Sequence, residues 1–351
     1  MYRLTLSAAL KPFLAPSALV ASLALPVAGV AAQERPTAEA MEAVRDADLA
    51  LATVGFRLAT ANAPLCDRQE PGLGIQLHTL DQFDAGAREA ARAHFGFAAP
   101  IAIEGVVAGS PAEQAGLRRD DSLLRVGAVD LAAIAGKPGT TDRLVAAQLA
   151  IAALPPSAPV EVAYLRGGVA GSATVTPLPA CKSRFELLLG TAYPASADGT
   201  MVQIGARFLE EYPADQFAAV VAHEFSHNIL HHRDRLEARG VTWGLLAGLG
   251  GNVKYFRQTE LQADLLSVYL LANAGYPPRA SVAFWKKFGP SKAGGFLRSR
   301  SHPHWADRVA TIDAEIARID SNPTRPLVPA ALAERAQPLS GDWQSLIVRR
   351  K

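Results

Sequence analysis

Apolar residues recur along this chain with two different periods, and the period changes with position. Residues 36–61 are rich in alanine and carry larger apolar side chains at helical spacing, which predicts one helix. The segments 101–107, 160–165 and 172–178 are short apolar runs bounded by turn residues, which is typical of strands. From residue 214 onward the helical period returns. The pattern therefore predicts an α+β fold whose later part is mainly helical.

The later part of the chain is predicted to begin with a small β-sheet and to continue with helices. Residues 185–189 and 201–204 predict two strands separated by a polar turn. Apolar positions from Phe217 onward share one face and predict a single long helix that begins at residue 214 and closes near Gly240. The last thirty residues are rich in Pro, Arg and Ala and predict a wrapped or loosely ordered tail. The other predicted helices in this part cover residues 254–273, 280–288 and 304–319.

Length and composition indicate a folded protein of two domains. The chain has 351 residues, and a domain commonly holds about 100–200 residues. Hydrophobic residues make up 49% and charged residues 19%, which is enough apolar material to form buried cores. The net charge of +2 is small, and basic and acidic residues are interleaved. Nucleic acid is therefore not an expected partner.

The first 32 residues have the features of a secretory signal. Arg3 and Lys11 accompany a long apolar stretch, residues 13–30, and the small residues Ala31 and Ala32 follow it. This order predicts cleavage after Ala32 and export, with a bacterial periplasm as the expected location and no membrane-spanning segment in the mature protein. An uncleaved membrane anchor is the alternative, because the stretch is long enough to span a bilayer.

The chain has two cysteines, Cys66 and Cys181. An even number of cysteines in a chain predicted to enter an oxidising compartment favours a disulfide between them. The loop that this bond would close is long enough to hold a small domain. Two free buried thiols are the alternative.

The segment between the cysteines carries, in order, the motifs Ser110-Pro111-Ala112, Ala115-Gly116-Leu117, Asp120-Asp121 and Val126-Gly127. With these motifs the segment resembles a PDZ domain. A predicted helix at 142–154 and two further strands complete the element count of such a domain, so residues 67–180 are predicted to form a PDZ-like α/β module. The resemblance implies that extended peptide ends bind as an added strand beside a groove helix. A packing module without a ligand is the alternative, because neither residues 72–75 nor residues 95–97 are identified as the loop that holds a peptide carboxylate.

His223-Glu224-Phe225-Ser226-His227 forms a His-Glu-x-x-His motif within the predicted long helix. At about 3.6 residues per turn, the two histidines lie on one face, so both imidazoles can reach a single zinc ion. Glu224 then lies beside the metal, where it can take a proton from zinc-bound water and pass it to a leaving amine. His231 continues the same stripe, but three ligands on successive turns of one helix cannot surround one ion. His231 is therefore predicted to be solvated or to serve in packing.

A hydrolytic zinc site needs a third protein ligand and an open fourth position, and the next predicted helix offers Glu260. Asp264 lies four residues later on the same face, where its carboxylate can accept the outer N–H of a ligating histidine. Both acids lie in an otherwise apolar helix, which a surface stripe of ion pairs would not explain. His223, His227 and Glu260 are therefore the predicted ligands of one Zn²⁺ ion per chain.

Further motifs make residues 182–320 similar to the zinc metallopeptidases typified by the CAAX prenyl proteases and the HtpX-like proteases, metallopeptidase family 48. The resemblance implies a gluzincin fold in which strand 201–204 lines the cleft and receives the substrate as an added strand. It also implies that His302 lies near the metal, where it would steady an oxyanion or gate the cleft, and that His232 and Arg308 have supporting roles. Unlike the membrane-embedded members, this sequence has no further spanning helices. The matching positions are His223-Glu224-x-x-His227, His232, Glu260-x-x-Ala263-Asp264, Ala274-Gly275-Tyr276, Ser301-His302-Pro303 and Arg308.

These observations predict an exported zinc endopeptidase that acts on polypeptides, in particular unfolded or damaged envelope proteins. Two other functions fit the same residues: a chaperone or adaptor with a structural zinc, and an amidase for small peptides or the cell wall. Structural zinc usually has four protein ligands, which argues against the first of these. The sequence does not indicate which oligomeric state the protein has. The predicted segments are the signal (1–32), an N-terminal helix (33–66), the PDZ-like module (67–180), the metallopeptidase domain (181–320) and the tail (321–351).

Overall fold

The predicted secretory signal, residues 1–32, lies outside the residues that the structure describes. The described elements are a mixture of helices and strands, which confirms the α+β class. Within the described ranges, no helix combines the length and the apolar character that are needed to cross a membrane. The structure is a computed structural model, and it describes residues 36–241, 250–292, 302–320, 324 and 326–348.

The first helix, α1 (Ala38–Ala61), contributes both to a core of the first half of the chain, up to residue 181, and to the main core of the later, helical half. It begins at Thr37, whose side-chain oxygen accepts a hydrogen bond from the backbone N–H three residues later. Leu51 and Leu58 are buried in the main core of the helical half. Met41, near the start of the same helix, is buried in a smaller core within the first half. One continuous helix therefore holds the two halves in contact.

Residues 69–181 form two antiparallel sheets. In the larger sheet the strands follow the order β2-β3-β4-β6-β7, and β5 pairs with β4. This sheet and α4 share a separate hydrophobic core that includes Ile103, Leu123, Ala147 and Val162. β2 lies at the edge of the sheet. The elements are β1 (Gln69–Gly72), β2 (Ile75–Thr79), α2 (Arg88–Phe95), β3 (Ile101–Val106), α3 (Pro111–Gln114), β4 (Ser122–Val126), β5 (Val129–Asp130), α4 (Asp142–Ile151), β6 (Val160–Arg166), β7 (Val169–Val175) and β8 (Leu178–Cys181).

The smaller sheet brings the two ends of this segment together. β1 pairs antiparallel with β8, and Gln69 lies opposite Cys181. The predicted disulfide between Cys66 and Cys181 is present, with a Cα–Cα distance of 5.4 Å, so neither cysteine is a free thiol. The 67–180 segment therefore leaves and rejoins the rest of the chain at one point.

A three-stranded sheet opens the second half of the chain: β9 (Arg184–Leu188), β10 (Ala195–Ala197) and β11 (Met201–Gly205). β11 is the central strand, parallel to β9 and antiparallel to β10. The expectation that strand 201–204 receives the substrate is therefore wrong, because both edges of this strand are already paired. β10 lies at the edge of the sheet instead.

Helices form most of the remaining described residues. α6 and α8 pack side by side, and their apolar faces bury Phe217, Phe225, Leu266 and Leu270 in the main core. This packing fixes the polar faces of the two helices relative to each other. The helices are α5 (Ala206–Glu211), α6 (Ala214–Ile229), α7 (His232–Glu237), α8 (Val253–Asn273), α9 (Arg279–Lys292) and α10 (Trp305–Asp320).

The single long helix predicted from residue 214 to near Gly240 is wrong at its end, because α6 stops at Ile229. His231 adopts the left-handed conformation, with a φ of 52°. This conformation costs a residue with a side chain about 1–2 kcal/mol. His231 Nε2 lies 3.2 Å from Asp67 Oδ1, and this contact offsets part of the cost. The turn directs the next side chain, His232, behind α6.

The tail is wrapped along the helical half over its described residues, which is one of the two predicted forms. It contains a short 3-10 helix, Ala330–Glu334. Leu327 and Leu339 are buried, at 1% and 0% exposure. The Gly341 N–H donates to Gln258 Oε1 of α8 at 2.8 Å. The tail is therefore part of the folded structure.

Candidate metal centre

Two histidines of α6 lie one helical turn apart at the wall of a large cavity. His223 Nε2 and His227 Nε2 are 3.4 Å apart, as the i and i+4 positions of a helix allow. Other side chains of α6, Phe217, Val221 and Phe225, are buried in the main core. Packing therefore fixes the direction in which the two imidazoles point.

α8 brings a carboxylate to the same point. Glu260 Oε2 lies 3.5 Å from His223 Nε2, and Glu260 Oε1 lies 3.7 Å from His227 Nε2. Each of the three residues offers a ligand atom, and these atoms all lie within 4.8 Å of one another. Ligand atoms at about 2.0–2.1 Å from a tetrahedral zinc ion are about 3.3–3.4 Å apart, so the spacing fits one zinc ion. Two imidazoles and one carboxylate also match the donor set of a hydrolytic zinc site, in which one position stays open.

A buried ion pair supports His223 from behind. Asp264 Oδ1 lies 3.1 Å from His223 Nδ1. Arg308 donates two hydrogen bonds to the Asp264 carboxylate, at 2.6 and 2.7 Å, and its guanidinium carbon lies 3.7 Å from the centre of the Trp285 ring. Asp264 is 1% exposed and Arg308 is 2% exposed. The pair holds the His223 ring with its Nε2 directed toward Glu260.

In this site, burial and neighbouring opposite charges shift the pKa values of the ionisable side chains in opposite directions. Burial lowers the pKa of His223, but Asp264 and Glu260 raise it to about 10 overall. Burial lowers the pKa of His227 to about 4, so this imidazole is neutral near pH 7. Burial raises the pKa of Glu260, but His302 and the two α6 histidines hold it well below its usual range. The two carboxylates therefore favour a positive charge at this point, either a proton on His223 or a metal ion.

The proposed ligands open onto a cavity of about 550 Å³, and Glu224 and His302 also line it. Glu224 follows His223 in α6 and is half-buried. His302 precedes α10, and its Nε2 lies 3.5 Å from Glu260 Oε2. Ser301, the first residue of the Ser-His-Pro motif, lies outside the described residues. The structure therefore brings both predicted catalytic side chains to the cavity of the metal centre.

One strand, several aromatic side chains and the tail form other walls of this cavity. All three residues of β10 line it, whereas no residue of β11 does. Trp343 and Ile347 of the tail also face it. Neither β10 nor the tail could be assigned to the cavity from local sequence patterns, because strand pairing and chain wrapping place them there. The aromatic wall consists of Tyr193, Phe208, Phe284, Trp285 and Phe288.

His232 lies directly behind the second histidine of the motif. Its Nδ1 is 2.9 Å from His227 Nδ1, and its side chain is almost fully buried. His231 is not part of the ligand cluster and lies against Asp67 instead. The structure therefore gives His232, and not its neighbour, a place next to a candidate ligand.

Gln262 is a site residue that the sequence analysis missed. Its Oε1 lies 3.1 Å from His232 Nε2, on the side of His232 that faces away from His227. Gln262 lies two residues from both Glu260 and Asp264, so helical spacing predicts that it points away from them. Only the tertiary packing of α7 against α8 indicates its role.

The comparison with protein families gives a match to the helical half of the chain. Residues 240–316 match the family model of Peptidase family M48. A search of curated proteins finds no match to the chain. The matched range contains Glu260, His302 and Arg308, and the fold places the two motif histidines of α6 against it. The family match and the cluster of two histidines and a glutamate together support a zinc-dependent metallopeptidase.

Proposed function

We propose that this protein is an exported zinc endopeptidase that cleaves unfolded or damaged envelope proteins. The observation that carries the proposal is the convergence of two imidazoles and one carboxylate at the wall of a cavity large enough for a peptide segment. Zinc, when held by His223, His227 and Glu260, supplies a Lewis acid that acidifies water and polarises a peptide carbonyl. The match to Peptidase family M48 supports the same reaction.

Glu224 moves the proton in this reaction. A carboxylate in the cavity beside the ligands can accept a proton from the attacking water and return it to the departing amine. His302 lies next to Glu260 and is partly exposed to the cavity, so its ring N–H can stabilise the negative charge that develops on the carbonyl oxygen. Asp264 and Arg308 keep His223 in place.

The substrate chain is proposed to lie along β10. An edge strand offers unpaired backbone groups to which an extended peptide can add, and β10 is the edge strand at the cavity. The aromatic wall of the same cavity would accept a large apolar side chain. Extended segments with exposed apolar side chains occur in unfolded proteins, and this property supports unfolded or damaged polypeptides as the substrate class.

The 67–180 segment is proposed to be a PDZ-like module that holds extended peptide ends. A cavity of about 160 Å³ is lined by Ile75 of β2 and Ile151 of α4, and Phe56 of α1 and Phe185 of β9 also line it. We propose that the loop before β2, in which Gly74 has a φ of 78°, holds the peptide carboxylate. A labelled peptide with a free carboxyl end should bind with higher affinity than the same peptide with an amidated end, as measured by fluorescence anisotropy.

The proposed export of the protein has support that is independent of the metal centre. The apolar segment before residue 32 and the Cys66–Cys181 disulfide both favour an oxidising compartment. Cell fractionation with a cytoplasmic marker would test the location. Recovery of the protein with the cytoplasmic marker would contradict export without affecting the proposed chemistry.

The activity is tested with the purified protein, metal analysis and the variant Glu224→Gln. We expect one zinc ion per chain and chelator-sensitive cleavage of an unfolded protein such as casein. Glu224→Gln should retain zinc and lose roughly 10²–10⁴-fold in kcat, because it removes the general base. Glu210→Gln, an exposed glutamate of α5, is the matched control. Cleavage that is unaffected by Glu224→Gln would remove the mechanism, and zinc binding without cleavage would favour a structural zinc.

A further inference from the structure

A line of buried polar side chains leads from His227 to the C-terminal tail. His227 Nδ1 lies 2.9 Å from His232 Nδ1, and His232 Nε2 lies 3.1 Å from Gln262 Oε1. Gln262 Nε2 in turn donates a hydrogen bond to Glu334 Oε2 at 2.6 Å. His232 and Gln262 are each 1% exposed, so these groups depend on one another for hydrogen bonds.

Two neighbours of opposite character fix the orientation of the Gln262 amide. The carboxylate of Glu334 only accepts hydrogen bonds, so it requires the NH2 group of the amide. The guanidinium of Arg235 only donates, and its Nη1 lies 3.2 Å from Gln262 Oε1. Both neighbours therefore require the same orientation, in which the amide oxygen faces His232.

This orientation determines where the ring hydrogens of both histidines lie. Because the amide oxygen only accepts, His232 Nε2 must carry a hydrogen. A neutral imidazole has one donor and one acceptor, so His232 Nδ1 accepts a hydrogen bond from His227 Nδ1. The lone pair of His227 then lies on Nε2, the atom that is 3.7 Å from Glu260 Oε1. A histidine binds a metal through the nitrogen that carries no hydrogen.

We propose that Glu334, through Gln262 and His232, selects the tautomer in which His227 binds zinc. Glu334 is thus a positioning residue that acts from the tail, 72 positions after Gln262 in the sequence. The inference rests on the zinc site of the proposed function, and it does not depend on whether the loaded protein cleaves peptides.

The tail is held on the C-terminal side of Glu334, which keeps the carboxylate in place. Arg335 Nη1 donates to the Leu65 carbonyl at 2.9 Å. The Gln337 carbonyl accepts a hydrogen bond from Arg235 Nε at 3.0 Å. Arg235 therefore contacts both the tail and the amide that the tail orients, so both determinants of the amide orientation depend on the docked tail.

The substitution Glu334→Lys tests the inference because it replaces the acceptor beside the Gln262 amide with a donor. A lysine only donates, so it favours the amide oxygen on its own side and the NH2 group beside His232. The hydrogen would then move to Nε2 of His227, where it blocks metal binding. We expect the zinc affinity of the full-length protein, measured by competition with a chelating dye, to fall by about 10–100-fold.

The double variant Glu334→Lys with Gln262→Glu is the rescue. The new carboxylate at position 262 can accept hydrogen bonds from the new lysine, from Arg235 and from His232, so the original order of ring hydrogens returns. We expect its zinc affinity to recover most of the loss. Gln262→Glu alone also keeps an acceptor beside His232 and should lose less affinity than Glu334→Lys. Glu161→Lys, at an exposed position of β6, controls for the change in charge.

A second readout does not require zinc or activity. In the metal-free protein, ¹⁵N NMR of the histidine rings distinguishes the two tautomers, and we expect His227 to carry its hydrogen on Nδ1 in the wild type and on Nε2 in Glu334→Lys. An unchanged tautomer in a folded Glu334→Lys protein would overturn the inference, as would a double variant that binds zinc no better than the single one. A wild-type protein that shows this tautomer and binds zinc but cleaves no peptide would overturn only the proposed function.

Discussion

At the residue scale, Arg308 and Asp264 each depend on the other for the burial of a charge. Their carboxylate and guanidinium make two hydrogen bonds, and both side chains are almost fully buried. Removal of one partner leaves an uncompensated charge in a region of low dielectric, which commonly costs about 3–5 kcal/mol. The ion pair that supports His223 is therefore also required for the stability of the fold.

We expect Arg308→Met to lower the free energy of unfolding by about 3–5 kcal/mol. The measurement is urea unfolding after treatment with a chelator, so that metal binding does not contribute. Arg279→Met is the control, because Arg279 is 66% exposed and pairs at the surface with Asp313, which lies on the same helix as Arg308. Such a surface pair contributes less than about 1 kcal/mol, and equal losses for the two variants would contradict the assignment.

Glu70 of β1 should make the stability of the folded protein depend on pH. Burial raises its pKa to about 7, although the Ser183 N–H, Lys182 and Arg184 act in the opposite direction. Because this value exceeds the ordinary 4.5, the folded state retains a proton that the unfolded state releases. The contribution of Glu70 to stability is therefore most favourable at low pH and is lost as the pH rises through about 7.

We expect Glu70→Gln to be more stable than the wild type at pH 8 and to approach it at pH 4, where the glutamate is protonated. The amide oxygen of glutamine can still accept the Ser183 N–H, so the hydrogen bond is retained. Urea unfolding at several pH values checks this expectation, with the exposed Glu161→Gln as the control. A stability difference that stays constant between pH 4 and pH 8 would show that the pKa of Glu70 is not raised.

Local spacing was enough to predict the side chains that converge on the metal centre, but not those that support His227. His223 and His227 are one turn apart on a strongly apolar helix, and Glu260 is on the next such helix, so periodicity alone places their functional faces. Gln262 and Glu334 are 72 residues apart and belong to no common pattern. Their contact arises only because the tail wraps back along α8, and no local rule predicts such wrapping.

At the element scale, the turn between α6 and α7 decides what lies behind His227. Apolar spacing predicted a continuous helix through this region, yet the chain leaves the helical conformation at His231. A continuous helix would carry residue 232 five positions, or about 500°, beyond His227 and away from its ring. Sequence periodicity could not indicate this break, because residues other than glycine seldom adopt the left-handed conformation and no glycine marks the turn.

We expect His231→Gly to retain the fold and His231→Val to be about 1–2 kcal/mol less stable than the glycine variant, because valine is strained at positive φ. Thermal or urea unfolding measures the difference. The same pair of substitutions at Ala238, which has ordinary helical backbone angles, is the control. Equal stability of the two variants at position 231 would show that the turn does not require the left-handed conformation.

Strand order is the other feature of the elements that the sequence could not provide. The runs at 185–189 and 201–204 were predicted as strands and are present as β9 and β11. Their neighbours in the sheet depend on the pairing of β10, a three-residue strand too short to show an alternating pattern. The edge that faces the cavity was therefore assigned to the wrong strand.

At the scale of the whole molecule, the tail has two separable parts. The first part carries Glu334 and the buried Leu339, and the second carries Trp343 and Ile347 into the wall of the cavity. The Arg257 guanidinium carbon lies 4.8 Å from the centre of the Trp343 ring, which helps to hold the second part there. The first part supports the metal centre, while the second narrows the space that a substrate would enter.

We expect removal of residues 341–351 to leave zinc affinity unchanged. We expect it to raise kcat/KM for a long unfolded substrate by roughly tenfold, because the substrate would no longer displace tail contacts worth about 1.4 kcal/mol. A short chromogenic peptide that does not reach the tail is the control and should be cleaved at an unchanged rate. Weaker zinc binding in the truncated protein would show that the second part also supports the metal centre.

The disulfide between Cys66 and Cys181 has a practical consequence for a molecule that is proposed to digest proteins. A cut at any peptide bond between these two cysteines leaves both fragments covalently joined, and the β1–β8 pairing holds the two fragments together beside the disulfide. Copies nicked by their neighbours would therefore run at full size on a gel without reductant. Dithiothreitol would release the fragments, so self-digestion in a stored preparation is visible only when reduced and unreduced samples are compared.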